Sequence, residues 1–411
     1  MNKLIRAAGM LSLGTASLAV QTTVFAAEGG GKPWEIAASL RGFYDDNIYT
    51  RPNTIDANTG KSQKIDSFGF EISPSVKYAI TTDDTKLSLS YAYSAKYYEG
   101  RPAGTDKWDQ GHYLNAALKH SFSPRVSLEL SDRFAVAQEP EQLGLGGIPF
   151  RANGDNKSNR AMISGTVGLT ERLGLVVGYR NSFFDYDDPA YKVALNRIEN
   201  EPSFDLTYQL QPSTVLVAGY SYAMVDYDAS APNPNRDNES HFLKVGIDQK
   251  FSHDLTLSAR VGAQITDYDD VASRDVTSPY ADVSLAYAFT PASSLKVGLS
   301  HQHNTTDVLA AQDQESTSLY AQVSHAFTAK LKGKIIAQYQ NSQFISTNAA
   351  IDGKTEDLYT LGVNLSYAVT ANIALDASYY YDRLESPTIV GLLQNREFSR
   401  NRVFLGVRFS Y

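Results

Sequence analysis

Three places in the sequence hold side chains that could do chemistry. The first is Asp45-Asp46-Asn47, inside "RGFYDDNIYTRPN" at 41–53. Adjacent carboxylates beside an amide can hold a divalent cation or act as an acid–base pair. The second is His301 and His303, the close pair among the seven histidines. Imidazole is the usual general base and a common metal ligand. The third is a set of acidic runs, "DYDDP" from 185 and "DYDD" from 267. Each lacks what its chemistry needs. The acidic runs miss the glycine and terminal glutamate of a calcium loop. The two histidines share a strand face at i, i+2, with no acid or third ligand at metal spacing, and read as interface histidines. No G-x-S-x-G elbow is present, and "GLGG" at 144–147 lacks the lysine and helix of a phosphate loop. No catalytic residue, cofactor or metal is expected, and the chain does not read as an enzyme. What Asp45 and Asp46 do depends on the elements around them.

Those elements begin with a leader. "MNKLIRAAGMLSLGTASLAVQTTVFAAEGG" has Lys3 and Arg6, a short apolar stretch and Val24-Phe25-Ala26, the pattern of a secretory signal peptide over 1–27. Cysteine is absent, so neither disulfides nor thiol chemistry are available. From there to the end the chain alternates with period two. "KLSLSYAYSAKYY" sets Leu87, Leu89, Tyr91 and Tyr93 against Ser88, Ser90, Ala92 and Lys96; "LTLSARVGAQI" repeats the scheme. Tight turns near 81, 123, 170, 211, 252, 290, 328 and 369 alternate with longer polar loops. Eight short turns and nine long loops join about 18 strands, an even number with both termini on the turn side. The fold expected over 28–411 is all-β: a single closed antiparallel transmembrane barrel, with short turns periplasmic and long loops outside.

If the apolar face meets lipid, the other face lines a lumen. That register places Arg41, Lys77, Lys96, Lys119, Arg133, Arg180, Lys244, Lys250, Arg260, Lys296, Lys332, Lys334, Arg402 and Arg408 inside. It also places Glu71, Glu129, Asp205, Asp248, Asp282, Asp376 and Asp382 there. The basic excess contrasts with an overall charge of -8 and favours anions; the competing reading is that these charges pair across strands. The apolar centre of the 138–156 loop, Leu143, Leu145, Ile148 and Phe150, suits a constriction folded into the lumen, and "ESPTIVGLLQNREF" is similar. Tyrosines near the loop ends read as an interfacial girdle, although an inward one such as Tyr380 could stack on sugar. The last strand closes on Phe409 and Tyr411, similar to the aromatic C-terminal signal that the barrel assembly machinery recognises. An acidic exported chain does not suggest nucleic acid as a partner.

"LRGFYDDNIYTRPN", followed by "DSFGFEISPSVKYAITTDDTKLSLSYAYSAKYY", resembles the start of the putative β-barrel porin 2 family. The resemblance rests on the Tyr44–Tyr49 strand end, Pro74 in the second strand and Tyr97-Tyr98 closing the third, with "FSPRVSLEL" and "FTPASSLKV" hairpins further on. It implies an outer-membrane pore associated with exopolysaccharide export, in contact with lipopolysaccharide and working with periplasmic polysaccharide export proteins. A non-conducting structural or surface-interaction barrel is the alternative. In either case Asp45, Asp46 and Asn47 read as the point where the first strand leaves the membrane.

Overall fold

The computed structural model describes residues 32–55, 60, 62–137, 156–189, 192, 195–228, 236–270, 273–308, 310–388 and 395–411. Eighteen strands follow one another: β1 (Trp34–Asp45), β2 (Ser67–Thr81), β3 (Thr85–Tyr98), β4 (Trp108–Ser123), β5 (Val126–Ala137), β6 (Asn156–Gly168), β7 (Leu173–Tyr186), β8 (Arg197–Gln211) and β9 (Thr214–Tyr227). The second half holds β10 (Asn238–Lys250), β11 (Leu255–Tyr268), β12 (Val276–Thr290), β13 (Ser293–Asn304), β14 (Asp313–Ala326), β15 (Leu331–Ile345), β16 (Thr355–Ala368), β17 (Ile373–Glu385) and β18 (Phe398–Ser410). Each strand pairs antiparallel with its neighbours in sequence, and β1 pairs with β18 from Ala37↔Ser410 to Asp45↔Arg402. The sheet is therefore a closed barrel without edges, the arrangement expected from the sequence.

The short turns close by side-chain capping. The hydroxyls of Thr82, Thr170, Ser252, Thr328 and Thr370 each accept the backbone N–H three residues on. These are serine/threonine turns, in which a short hydroxyl side chain stands in for a backbone acceptor. Phe251 and Phe327 stand before two of these turns, with Phe122 and Phe289 at the corresponding places before the β4–β5 and β12–β13 turns, and all four are exposed. They form an aromatic girdle at the turn end. Tyr411 completes it, exchanging two backbone hydrogen bonds with Ile36 and lying 5.8 Å from the Trp34 ring.

The two faces differ sharply. One carries exposed Leu40, Ile72, Val76, Leu243, Val245 and Leu405. The other carries buried Glu71, Ser221, Ser258, Gln264, Ser318 and Gln340. This inversion of a soluble protein suits lipid outside and water or packed side chains inside. Glycines on the inner face let long side chains lie flat against the wall: a Cβ on Gly298 would collide with the Tyr320 ring, and one on Gly246 with Arg260.

Packed groups gather at the loop end. Phe43, Ile48, Tyr98 and Phe404 form a buried cluster on the inner face with Tyr49 and Tyr380 against it. Tyr380 meets Phe404 edge-on at 5.9 Å and donates to Asn364.

Candidate functional site

Every basic residue expected inside lies on the face opposite the exposed apolar rows, but the structure pairs many of them. Arg41 meets Glu71 at 2.6 Å, Arg260 meets Asp248 at 2.8 Å, Arg402 meets Asp382 at 2.6 Å and Arg408 meets Asp376 at 3.5 Å. Lys119 pairs with Glu129 and Arg180 with Glu201. Six of the expected basic side chains are thus ion-paired across neighbouring strands, five of them with acids expected on the same face, so the pairing localises charge without removing the basic excess. Lys77, Lys96, Lys244, Lys250 and Lys296 have no ion-pair partner within 4.0 Å among the described residues. Lys296 instead lies over the Tyr320 ring, 5.9 Å from its centroid.

A second basic group adds Arg160 and Arg197 to the expected Arg133 and Arg180. Arg160 on β6 stands directly opposite Arg133 on β5, and its Nε donates to Ser182 at 3.4 Å. Arg180 and Arg197 follow on β7 and β8. Arg197 bonds Glu199 at 2.8 Å and stacks 4.0 Å over Phe184. Four arginines on adjacent strands thus face two glutamates, Glu199 and Glu201. Like charges directly opposite in a ladder are unfavourable, so this arc is suited to an anion that relieves the repulsion. Simple alternation could have found it: Arg160, Met162 and Ser164 alternate with Ala161 and Ile163, and Arg197, Glu199 and Glu201 share the parity of Asp205.

The mouth is crossed by the β13–β14 loop, 305–312. Thr306, Val308 and Ala311 are buried, and Val308 and Ala311 pack on Phe344 and Ile351. Arg236, two residues before β10, donates to the Thr306 carbonyl at 3.1 Å. Arg396, two residues before β18, holds both Asp307 oxygens at 3.0 and 2.9 Å. β10 and β18 are eight strands apart in a ring of eighteen, so consecutive loop residues are gripped from nearly opposite walls. The loop is thus held inward at the mouth, packed on Phe344 and Ile351. Leu143, Leu145, Ile148 and Phe150 lie outside the described residues, as do residues 1–27, expected to be a leader.

Asp45, Asp46 and Asn47 stand where β1 ends, the expected strand exit, and their polar groups are taken up by β18 and the adjoining loop. Asp45 is buried and paired with Arg400; Asp46 accepts the Asn401 backbone N–H at 2.6 Å and its side-chain amide at 2.7 Å. Asn47 is fully buried, donating to the carbonyls of Arg51 and Ser399. The three lock β1 to β18 at the loop end, a pairing across 355 residues that no local pattern reveals.

The histidine pair also has acids after all, supplied by β14. His301 lies 3.2 Å from Glu315, and buried His303 lies 3.1 Å from Asp313 and 2.8 Å from the Tyr268 hydroxyl. Tyr268 donates to the same Asp313 oxygen at 2.5 Å. Above Ala281↔His301 the β12–β13 ladder stops, and the Gln264 side-chain amide takes over, bonding both the N–H and the carbonyl of His303. The Gln264 amide thus mends the wall seam, with the buried His303–Asp313 pair packed beside it. Among the described residues no group of three or more His, Cys, Asp or Glu is arranged to hold a metal ion. At the rim, burial alone would lower the Arg101 guanidinium, yet Asp109, 2.5 Å away, holds it above the ordinary arginine value.

Comparison with known proteins places the chain in a family. Solved structures with a similar strand arrangement include OccAB4 of Acinetobacter baumannii (11% identity, TM-score 0.43), aligned over 92% of this chain and 99% of that one. A BenF-like porin from Pseudomonas fluorescens Pf-5 is 14% identical with a TM-score of 0.45, over 92% and 99%. Pseudomonas aeruginosa OccK2 (OpdF), solved in complex with glucuronate, is 11% identical with a TM-score of 0.47, over 92% and 98%. No curated protein sequence matches. The profile of the family described as Putative beta-barrel porin 2 matches residues 164–411, more than half of the chain and apart from the N-terminal stretch whose motif resembles that family. The chain belongs to the Putative beta-barrel porin 2 family.

Proposed function

We propose that the chain is a channel of the Gram-negative outer membrane that passes anionic oligosaccharide or exported exopolysaccharide. The observation that carries this reading is the arginine arc, Arg133 facing Arg160 with Arg180 and Arg197 beside them, opening on the same face as Lys96, Lys244 and Lys296. Carboxylated sugars would meet bidentate guanidinium donors there, and the lysines would hold the approaching negative charge. The 1–27 leader would direct export, Phe409 and Tyr411 would engage the assembly machinery, and periplasmic export proteins would feed the turn end. A non-conducting surface-interaction barrel is the second reading, favoured by the gripped β13–β14 loop.

Planar-bilayer recording of the mature chain separates the two. Single-channel steps with a reversal potential favouring chloride over potassium are expected; a protein that inserts without steps sinks the pore reading. Lys244→Glu combined with Lys296→Glu should lower the anion preference several-fold, and unchanged selectivity would remove these lysines from the argument. Reversing Arg260 is a poorer test than reversing the lysines, because it would strand Asp248 against a like charge.

A further inference from the structure

Two tyrosines on the inner face have hydroxyls that the wall does not use. Tyr280 on β12 and Tyr320 on β14 are half-buried, and neither hydroxyl has a hydrogen-bond partner within 3.5 Å among the described residues. Other tyrosines of the barrel are satisfied. Tyr380 donates to Asn364 on the inner face, and Tyr179 and Tyr379 donate to Asn200 and Asn401 on the outer one. A tyrosine packed into a wall ties its hydroxyl to a neighbour, so a ring without that tie is available to a molecule in the lumen.

Glycines set both rings. Tyr320 stands opposite Gly298 and lies against it, where a Cβ would collide with the ring. One ring face is thus turned to the wall and the other to the lumen, where Lys296 sits 5.9 Å from the centroid. Tyr280 stands opposite Gly262, and Lys244 flanks the same glycine from the other side. With no side chain between them in that row, Tyr280 reaches across β11 and meets Phe242 of β10 edge-on, at 5.7 Å and 83°. Phe242 is itself half-buried on the inner face. The same unit therefore occurs twice: a tyrosine beside a glycine, its hydroxyl open, next to a lysine with no ion-pair partner within 4.0 Å among the described residues. Ser284, paired with Gly298, lies one full inner-face period beyond Asp282 from Tyr280, so strand rise and spacing set the two units roughly 15 Å apart.

We infer that these units are two subsites for one chain of acidic pyranoses. Each ring stacks on the C–H face of a sugar, its hydroxyl bonds a sugar hydroxyl, and the lysine takes the sugar carboxylate. Three features select that chemistry. A flat ring face suits the apolar C–H face of a pyranose and not a compact anion. The lysines select an acidic sugar over a neutral one. The separation exceeds the span of a single sugar, so an oligomer bridges both units and a monosaccharide does not. The inference deepens the anionic-oligosaccharide reading and rests on it for the class of cargo.

Isothermal titration calorimetry of the full mature chain in detergent tests it with three probes: tetragalacturonate, neutral maltotetraose, and citrate as an anion without a ring. The wild type should bind tetragalacturonate about tenfold more tightly than either of the others. Tyr280→Leu combined with Tyr320→Leu should erase that margin, whereas Tyr280→Phe combined with Tyr320→Phe should keep most of it. Lys244→Gln combined with Lys296→Gln should weaken tetragalacturonate and leave maltotetraose unchanged. Citrate binding as tight as that of tetragalacturonate in the wild type overturns the proposal and leaves anion preference to charge alone; this comparison needs no variant. A margin that survives the double leucine variant overturns it as well, as does an absence of tetragalacturonate binding. A chain silent in bilayers that still shows the margin keeps the subsites and loses the pore, and a chloride-selective pore without the margin does the reverse.

Discussion

Asp45→Ala is expected to cost the barrel about 3–5 kcal/mol, the typical penalty for removing one partner of a buried ion pair. Asp45 and Arg400 are each about 2% exposed, so little water replaces the lost carboxylate. The loss falls where the first strand meets the last, the single junction that converts an open eighteen-stranded sheet into a barrel. It also removes the acceptor for the Asn47 backbone N–H and so loosens the entry to the β1–β2 loop. Urea unfolding of protein refolded into vesicles, read beside the folded band on unheated gels, measures the effect. A shift below about 1 kcal/mol with a normal folded fraction would mean that the ladder alone closes the barrel. Asp45→Leu with Arg400→Met should recover much of the loss, because apolar side chains of similar volume commonly replace a buried pair at little net cost. Failure of that double variant would assign the node to directional hydrogen bonding instead of burial.

The barrel itself was readable from the sequence because each strand advertises its own inner and outer faces. "LTLSARVGAQI" orients β11 without knowledge of its neighbours, and capping residues such as Thr170, Ser252 and Thr328 mark the turns locally. The same logic extends to which face a charge occupies, and the expected basic residues fall together on one face. It does not extend to whether a charge is paired. Arg260 and Lys244 look alike in a strand pattern, yet Arg260 lies flat over Gly246 and grips Asp248, whereas Lys244 has no ion pair within reach. The locking role of Asp45-Asp46-Asn47 stays hidden for the same reason. Its partners Ser399, Arg400 and Asn401 lie at the other end of the chain, and only closure brings them together. His303 was read as an interface residue because its acid, Asp313, follows an entire loop rather than a turn. The expected constriction at 138–156 lies outside the described residues, while the short β13–β14 loop is packed inward by neighbours on distant strands that no local pattern pairs with it.

That short loop supplies the second large effect. Replacing 306–311 by two glycines should raise single-channel conductance several-fold, because side chains that are now buried would no longer occupy the mouth between β10 and β18. The loop's hold is divided. Val308 and Ala311 bury apolar surface on Phe344 and Ile351, while Arg236 and Arg396 clamp the backbone and the Asp307 carboxylate. Arg396→Ala removes only the clamp on one side, so it should leave the mean conductance nearer the wild-type value but add brief openings as Asp307 is released. One guanidinium nitrogen bridges both Asp307 oxygens through charge-assisted hydrogen bonds, a strong class, and Arg396 also lies 3.6 Å from Glu356, so its loss removes a cation beside two acids at the rim. Those acids would oppose anions, and the new openings should be less anion-selective than the closed-loop channel. A loop replacement that leaves conductance unchanged would place the limiting cross-section deeper, at the arginine arc of β5–β8. There, Arg160→Gln would become the substitution that changes the current.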